Sequence, residues 1–380
     1  MSQQRTISGP VVRELVTGSN PSPPAEGIRI IGARVSGVLD LSRVNVAFPL
    51  AFIQCSFEHT PIMRDADIES LSFGASQLPG LEAQGLRVHS DLQLCEGFRS
   101  DSTVRLERAT VMGNLSCSGA IITASNSCAL SADDAVICGH LLLSNGFEAH
   151  GETSLRRAQV GGMLYCAHGK LHHPGAAALA AEDLVVDGSA VMGIGFRADG
   201  QVNLSRARIG RLWHCADGSF ANAGGVALAA DDAVIGDRAI LGEWFSAKGI
   251  VSLKRARVAR DLNCVGGIFQ NAGGEAFCAD SIHIGGSLRM HTRFLAEGAV
   301  RLDHANIAGT LNCTGGRFEN PGGLALTMNN AHIARDVILG SGFRAQGCVS
   351  LAGAAIGGEL HYEYAVCDSL VTDGVVIGTP

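Results

Sequence analysis

The chain has 380 residues, 46% hydrophobic but only 5% aromatic, with 49 glycines and a formal net charge of -7. So mild an acidity gives no general attraction for nucleic acid or anionic lipid, and nucleic acid is not an expected partner. No run of 18 apolar residues predicts a membrane span. The opening MSQQRTISGPVVRELV lacks the charged region, apolar run and cleavage site of a secretion signal, so a cytoplasmic location is expected.

Residues 1–26 stand outside any pattern and are expected to form a cap and linker, with a short helix over Val11–Val16 and a turn or linker over Gly18–Pro24. A solenoid needs such a cap, because its end exposes backbone groups and apolar surface. Residues 27–97 alternate apolar and polar positions with a one-residue slip between pairs, as in Leu50/Phe52, Ile68, Leu71/Phe73 and Leu92/Leu94. Alternation predicts strand and the slip predicts a corner, so these are irregular coils with short turns.

From residue 98 to 342 the chain repeats itself five times. Phe98, Phe147, Phe196, Phe245, Phe294 and Phe343 each lie 49 residues apart. Equivalent apolar positions inside the repeat alternate at 26 and 23 residues (Ile209, Ile235, Val258, Ile284, Ile307, Ile333), so each repeat is two coils. The expected fold is all-β: a single-stranded, parallel, right-handed β-helix (solenoid), the hand taken from the general crossover preference. Residues 343–380 hold a partial coil and then a departing tail, HYEYAVCDSLVTDGVVIGTP, expected to cap the end or to pair with another chain.

Cys117, Cys166, Cys215, Cys264 and Cys313 keep the 49-residue step. Two coils, roughly 9.6 Å at ~4.8 Å per coil, separate neighbours, too far for a disulfide and too far apart for a metal cluster. They alternate with leucine or methionine in one column (Leu143, Met192, Leu241, Met290, Leu339) and are expected to be buried packing groups in a reducing compartment. Gly224/Gly225, Gly273/Gly274 and Gly322/Gly323 mark a recurrent tight turn, and Asn222, Asn271 and Asn320 before it suggest an asparagine ladder along the axis.

Several positions are candidates for binding. His168, His172 and His173 give an HxxxHH spacing on an expected loop, suited to a divalent ion or a charged ligand. Tyr165 and His214 occupy equivalent outward positions two coils apart and, with Trp213 and Trp244, make the nearest approach to an aromatic patch. Arg157, Arg206 and Arg255, following Arg108, form a basic row matched to a regularly charged polymer, and Asp134, Asp183 and Asp232 form an acidic one. Ordinary surface variation and a solvated edge are the competing readings, and no metal, cofactor or catalytic residue is assigned. The acid pairs Asp133/Asp134, Glu182/Asp183 and Asp231/Asp232 recur with the repeat, whereas a glycosidase-type pair breaks it.

The stretch GAVRLDHANIAGTLNCTGGRFENPGGLAL, Gly298 to Leu326, resembles a group of bacterial 49-residue-repeat proteins often labelled "membrane-associated oxidoreductase". The resemblance covers about residues 27–360, and its label implies redox chemistry. The chain has no GxGxxG between a strand and a helix, no CxxC and no haem-type CxxCH. There is a distant likeness to pentapeptide-repeat proteins, some of which mimic DNA. The expected role is a non-catalytic rigid scaffold or protein-interaction module that self-associates or binds another protein. The alternatives are a polysaccharide-binding or polysaccharide-cleaving β-helix and a DNA-mimic inhibitor of a nucleic-acid enzyme.

Overall fold

The computed structural model describes residues 5–18 and 26–378, apart from the side chains of residues 125 and 126. Residues 19–24 of the expected linker lie outside the described residues. The chain divides into two units, residues 1–188 and 189–380. Each is a parallel β-solenoid, and together they make about 15 turns. Among the described residues no helix is long and apolar enough to cross a membrane.

The first unit begins with a strand, Arg5–Ser8, paired in parallel with Ala33–Ser36. The helix Gly9–Thr17 follows. Ser8 Oγ accepts from the Val11 N–H, Pro10 sits where no intrahelical partner is needed, and Val12 and Val16 are buried. The helix lies over the first coil so tightly that a Cβ on Gly9 would stand 2.4 Å from the Val38 carbonyl oxygen.

The coils then stack through Ile28↔Leu50, Leu50↔Leu71, Leu71↔Leu92, Leu92↔Leu115, Leu115↔Leu141 and Leu141↔Leu164. Up to Leu92 the steps are 22, 21 and 21 residues, shorter than in the regular repeat. In the second unit Ile235, Val258, Ile284, Ile307, Ile333 and Ile356 stack in one column of β-branched residues, the residue type that packs best on a pleated surface. Corners turn on a left-handed residue just before a buried alanine: Arg108, Arg157, Arg206 and Arg255 have φ of 56 to 60°, ahead of Ala109, Ala158, Ala207 and Ala256.

The difference between long and short coils is local. Long coils carry an 11-residue strand such as Ser219–Ala229, and short coils a 7-residue strand such as Ser246–Ser252. The register slips between Ala221 and Val226, where the long coil bulges outwards. In that bulge the first glycine (Gly224, Gly273, Gly322) takes φ of 73 to 76° with open space around it. The second (Gly225, Gly274, Gly323) lies under an asparagine amide, where an added Cβ would stand 2.6 to 2.9 Å from the amide nitrogen. The asparagines do not form an axial ladder. Asn222, Asn271 and Asn320 each donate Nδ2–H to the carbonyl four residues on, at 2.8 to 2.9 Å, closing their own bulge.

Phenylalanine fills the interior by a positional exchange. Short coils read F-x-A (Phe245, Ala247) and long coils read G-x-F (Gly267, Phe269). Ala247 and Phe269 share a register, yet the rings of Phe245 and Phe269 meet with centroids 5.1 Å apart. Phe196, Phe220, Phe245, Phe269, Phe294, Phe318 and Phe343 continue as one ladder, 5.1 to 5.5 Å per step. In the first unit Leu171 and Ile122 occupy ring positions, and Phe52 and Phe73 stack at 5.2 Å nearer the helix.

Candidate functional site

The cysteine column is buried throughout. Burial pushes the thiols of Cys117 and Cys166 up to about 12 and raises those of Cys264 and Cys313. A thiol with that pKa is about 10⁻⁴ ionised at pH 8, and thiolate is the reactive form. Among the described residues no three His, Cys, Asp or Glu groups converge as a metal site. We predict that a thiol reagent at pH 8 modifies exposed Cys138 in the native protein but leaves Cys117, Cys166, Cys264 and Cys313 unmodified until unfolding. Peptide mass spectrometry reads this out, and native labelling of the column at the Cys138 rate would contradict it.

The histidine triplet does not assemble on a loop. His168 is exposed in a turn with φ 58°, whereas His172 and His173 lie within the strand Lys170–Ala180. His173 Nδ1 lies 2.9 Å from the Ala177 carbonyl, the bond that asparagine makes in the later repeats, so it serves to close the bulge. His172 meets His150 instead, with ring centroids 5.7 Å apart, and His150 Nε2 is 3.0 Å from Glu148 Oε1.

Trp213 is not part of a surface patch. It is 1% exposed and points inwards, in the register held by leucine elsewhere. Its neighbours in that register are Ala190 and Ala239, whose small side chains make the room. Tyr165 and His214 do face outwards and are half-buried, but they belong to different units, and no patch with Trp213 exists.

The basic row is also not a free row. The left-handed corner positions of the first unit run Arg108, Asp134, Arg157, Asp183, and those of the second run Arg206, Asp232, Arg255. Within each unit the two rows are one column of alternating sign, because the 23-residue step sets Arg157 beside Asp134 and Arg255 beside Asp232. Both contacts are bidentate, at 2.7 to 2.8 Å. These bonds hold the Asp134 and Asp232 carboxyls below the ordinary range. The small stability they add is therefore present above the unfolded carboxylate pKa and fades as pH falls through the folded one. The inner acids are structural as well: Asp231 Oδ1 accepts from Ser252 Oγ at 2.6 Å and from Lys254 N–H at 2.9 Å.

The place where chemistry gathers is elsewhere, in the turn ahead of each phenylalanine. Before Phe343 only Gly342 is left-handed (φ 82°); at the other turns two successive residues are, and the second is glycine at Gly97, Gly146 and Gly195 (φ 76 to 91°). In two consecutive repeats it is not: Trp244 has φ 74° and Arg293 φ 67°. At Gly97 and Gly146 an added Cβ meets nothing, so the turn has room for a side chain and the only cost is backbone strain. Trp244 is 71% exposed. It and Arg293 line one groove of about 760 Å³ with His214, Asp217, Glu243 and Thr292. Backbone bonds Ile194→Ala216, Asp217→Glu243, Glu243→Val265 and Thr292→Thr314 place these residues on successive coils, so the groove runs along the axis of the second unit. Asp217, Glu243 and Arg293 make no ion pair among the described residues, and His214 Nδ1 is buried without a hydrogen-bond partner. Compared with family models, with curated proteins and with solved structures, the chain shows no match.

Proposed function

We propose that the protein is a non-catalytic, rigid β-helix module that acts by association, working in the cytoplasm and pairing with a second copy of itself through its last coil. The carrying observation is a change in burial along single columns. Ile356 is fully buried, while Ile377, stacked on it, is 51% exposed. Val349 is buried, while Leu370 beyond it is 36% exposed. Val366 takes an outward position held by Arg344 and Arg317 on the preceding coils. Tyr362, Tyr364 and Val376 add exposed apolar surface, and among the described residues the strand Val366–Val371 pairs on one side, with Arg344–Ser350.

In the first unit the helix Gly9–Thr17 covers the first coil, so the last coil of the second unit finds no like face there and a closed two-fold pair through that coil is favoured. Free thiols at all twelve cysteines are consistent with a reducing compartment. Sedimentation equilibrium over a concentration series tests the reading. The wild type is expected to reach a dimer and the Val366→Lys/Leu370→Lys variant to stay monomeric. Glu363, Asp368 and Asp373 give the edge like charges, so added salt is expected to tighten the pair. A wild type that is monomeric at every concentration would reject the reading.

A further inference from the structure

The self-association reading leaves the Trp244 groove unused. We propose that this groove binds a linear oligosaccharide, laid along the solenoid axis with one sugar ring stacked on Trp244. Four observations support it. First, an exposed indole offers the flat apolar face that the C–H side of a pyranose covers, while its neighbours supply hydrogen-bonding groups. Second, those neighbours are of both kinds: the Asp217 and Glu243 carboxylates accept from sugar hydroxyls, and the Arg293 guanidinium and Thr292 hydroxyl donate to sugar oxygens. Among the described residues none of the three charged groups is ion-paired, unlike Arg157 and Arg255 on the corner column, whose carboxylate partners hold them.

Third, the groove follows the axis. Its residues sit on consecutive coils at ~4.8 Å intervals, so Trp244 and Arg293, two coils apart, are separated by roughly the length of a disaccharide. That repeat suits a linear polymer better than a compact ligand. Fourth, the site exists only where the repeat is broken. Four sister turns carry the glycine that the backbone prefers, and two adjacent ones carry Trp244 and Arg293 at a conformational cost. Unlike the recurrent left-handed corners, these two depart from the residue their sister turns carry, and strain of that kind points to function. A cation cage is the nearest competitor, but Arg293 in the same groove opposes a cationic guest.

The test uses the full chain and four hexasaccharide probes, from cellulose, xylan, chitin and polygalacturonate. Binding is followed by tryptophan fluorescence, in which buried Trp213 is a constant background and Trp244 reports. At least one probe is expected to quench and blue-shift the Trp244 emission. The Trp244→Gly variant restores the sister-turn residue, so it should fold, with a thermal midpoint equal to or above that of the wild type. It should lose binding at least tenfold by calorimetry. Arg293→Gly should weaken polygalacturonate more than the neutral probes. Absence of binding to all four probes overturns the proposal. So does undiminished binding by Trp244→Gly, or binding of tetramethylammonium without any sugar.

Discussion

Replacing Gly298 by alanine is expected to cost about 3 kcal/mol or more. Gly298 has φ 123°, and an added Cβ would stand 2.5 Å from the Asn271 carbonyl oxygen and 2.8 Å from that of Gly274. Both oxygens belong to the bulge of the preceding long coil, which is fixed by the Asn271 bond to Glu275. Neither the short coil nor the bulge can move without breaking the parallel ladder between them. Gly151, Gly249 and Gly347 hold the same place, with φ of 119 to 123°. The control is Gly322→Ala. Its φ is 73° but nothing lies within 4 Å, so only the left-handed cost of roughly 1 kcal/mol applies. Denaturant unfolding of the two variants measures the difference. Equal losses would mean that the bulge yields and that the close approach carries no weight.

Phe269→Ala is expected to cost about 4 kcal/mol. Phe269 is fully buried, and its ring meets those of Phe245, Phe277 and Phe294 with centroids at 5.1 to 5.4 Å. Truncation removes one rung of a continuous ladder and leaves a hole bounded by coils whose spacing the backbone fixes. Collapse is therefore limited, and ring pairs add about 1 kcal/mol beyond burial. Phe269→Leu, the residue type found at Leu171, should recover more than half of the loss. A loss near 1 kcal/mol for the alanine variant, from equilibrium unfolding, would show that the ladder repacks freely. Stability in stacked coils is close to a sum of neighbour terms, so both variants should also open their adjoining coils first in hydrogen exchange.

The architecture could be read directly from the repeat, because a parallel solenoid turns sequence period into axial neighbours. The cysteine, leucine and methionine column, the β-branched column and the left-handed turn glycines all follow from the 26 and 23 spacing. Side-chain size misled where period should have ruled. Trp213 stands in the register of Leu262 and Leu311 and is inward by count; the compensating Ala190 and Ala239 lie 23 and 26 residues away. The same count sets Arg157 on Asp134, which joins two apparent rows into one. What could not be read was local geometry. The asparagine bonds depend on where bulge carbonyls point, and the Phe exchange depends on rings from two positions sharing one space. The groove left a plain signal that pattern-matching on composition passes over: Gly-Phe at four repeats, Trp244-Phe245 and Arg293-Phe294 at two.

Association through the outer edge of the last coil is read most directly by amide exchange in the strand Val366–Val371. Exchange is followed by mass spectrometry in dilute and in concentrated protein, with the strand Arg317–Thr327, paired on both sides, as internal reference. The expected result is slowing of exchange in 366–371 as concentration rises through the dimer range, abolished in Val366→Lys/Leu370→Lys, with no change in 317–327. Identical exchange in 366–371 at both concentrations would contradict pairing through this edge.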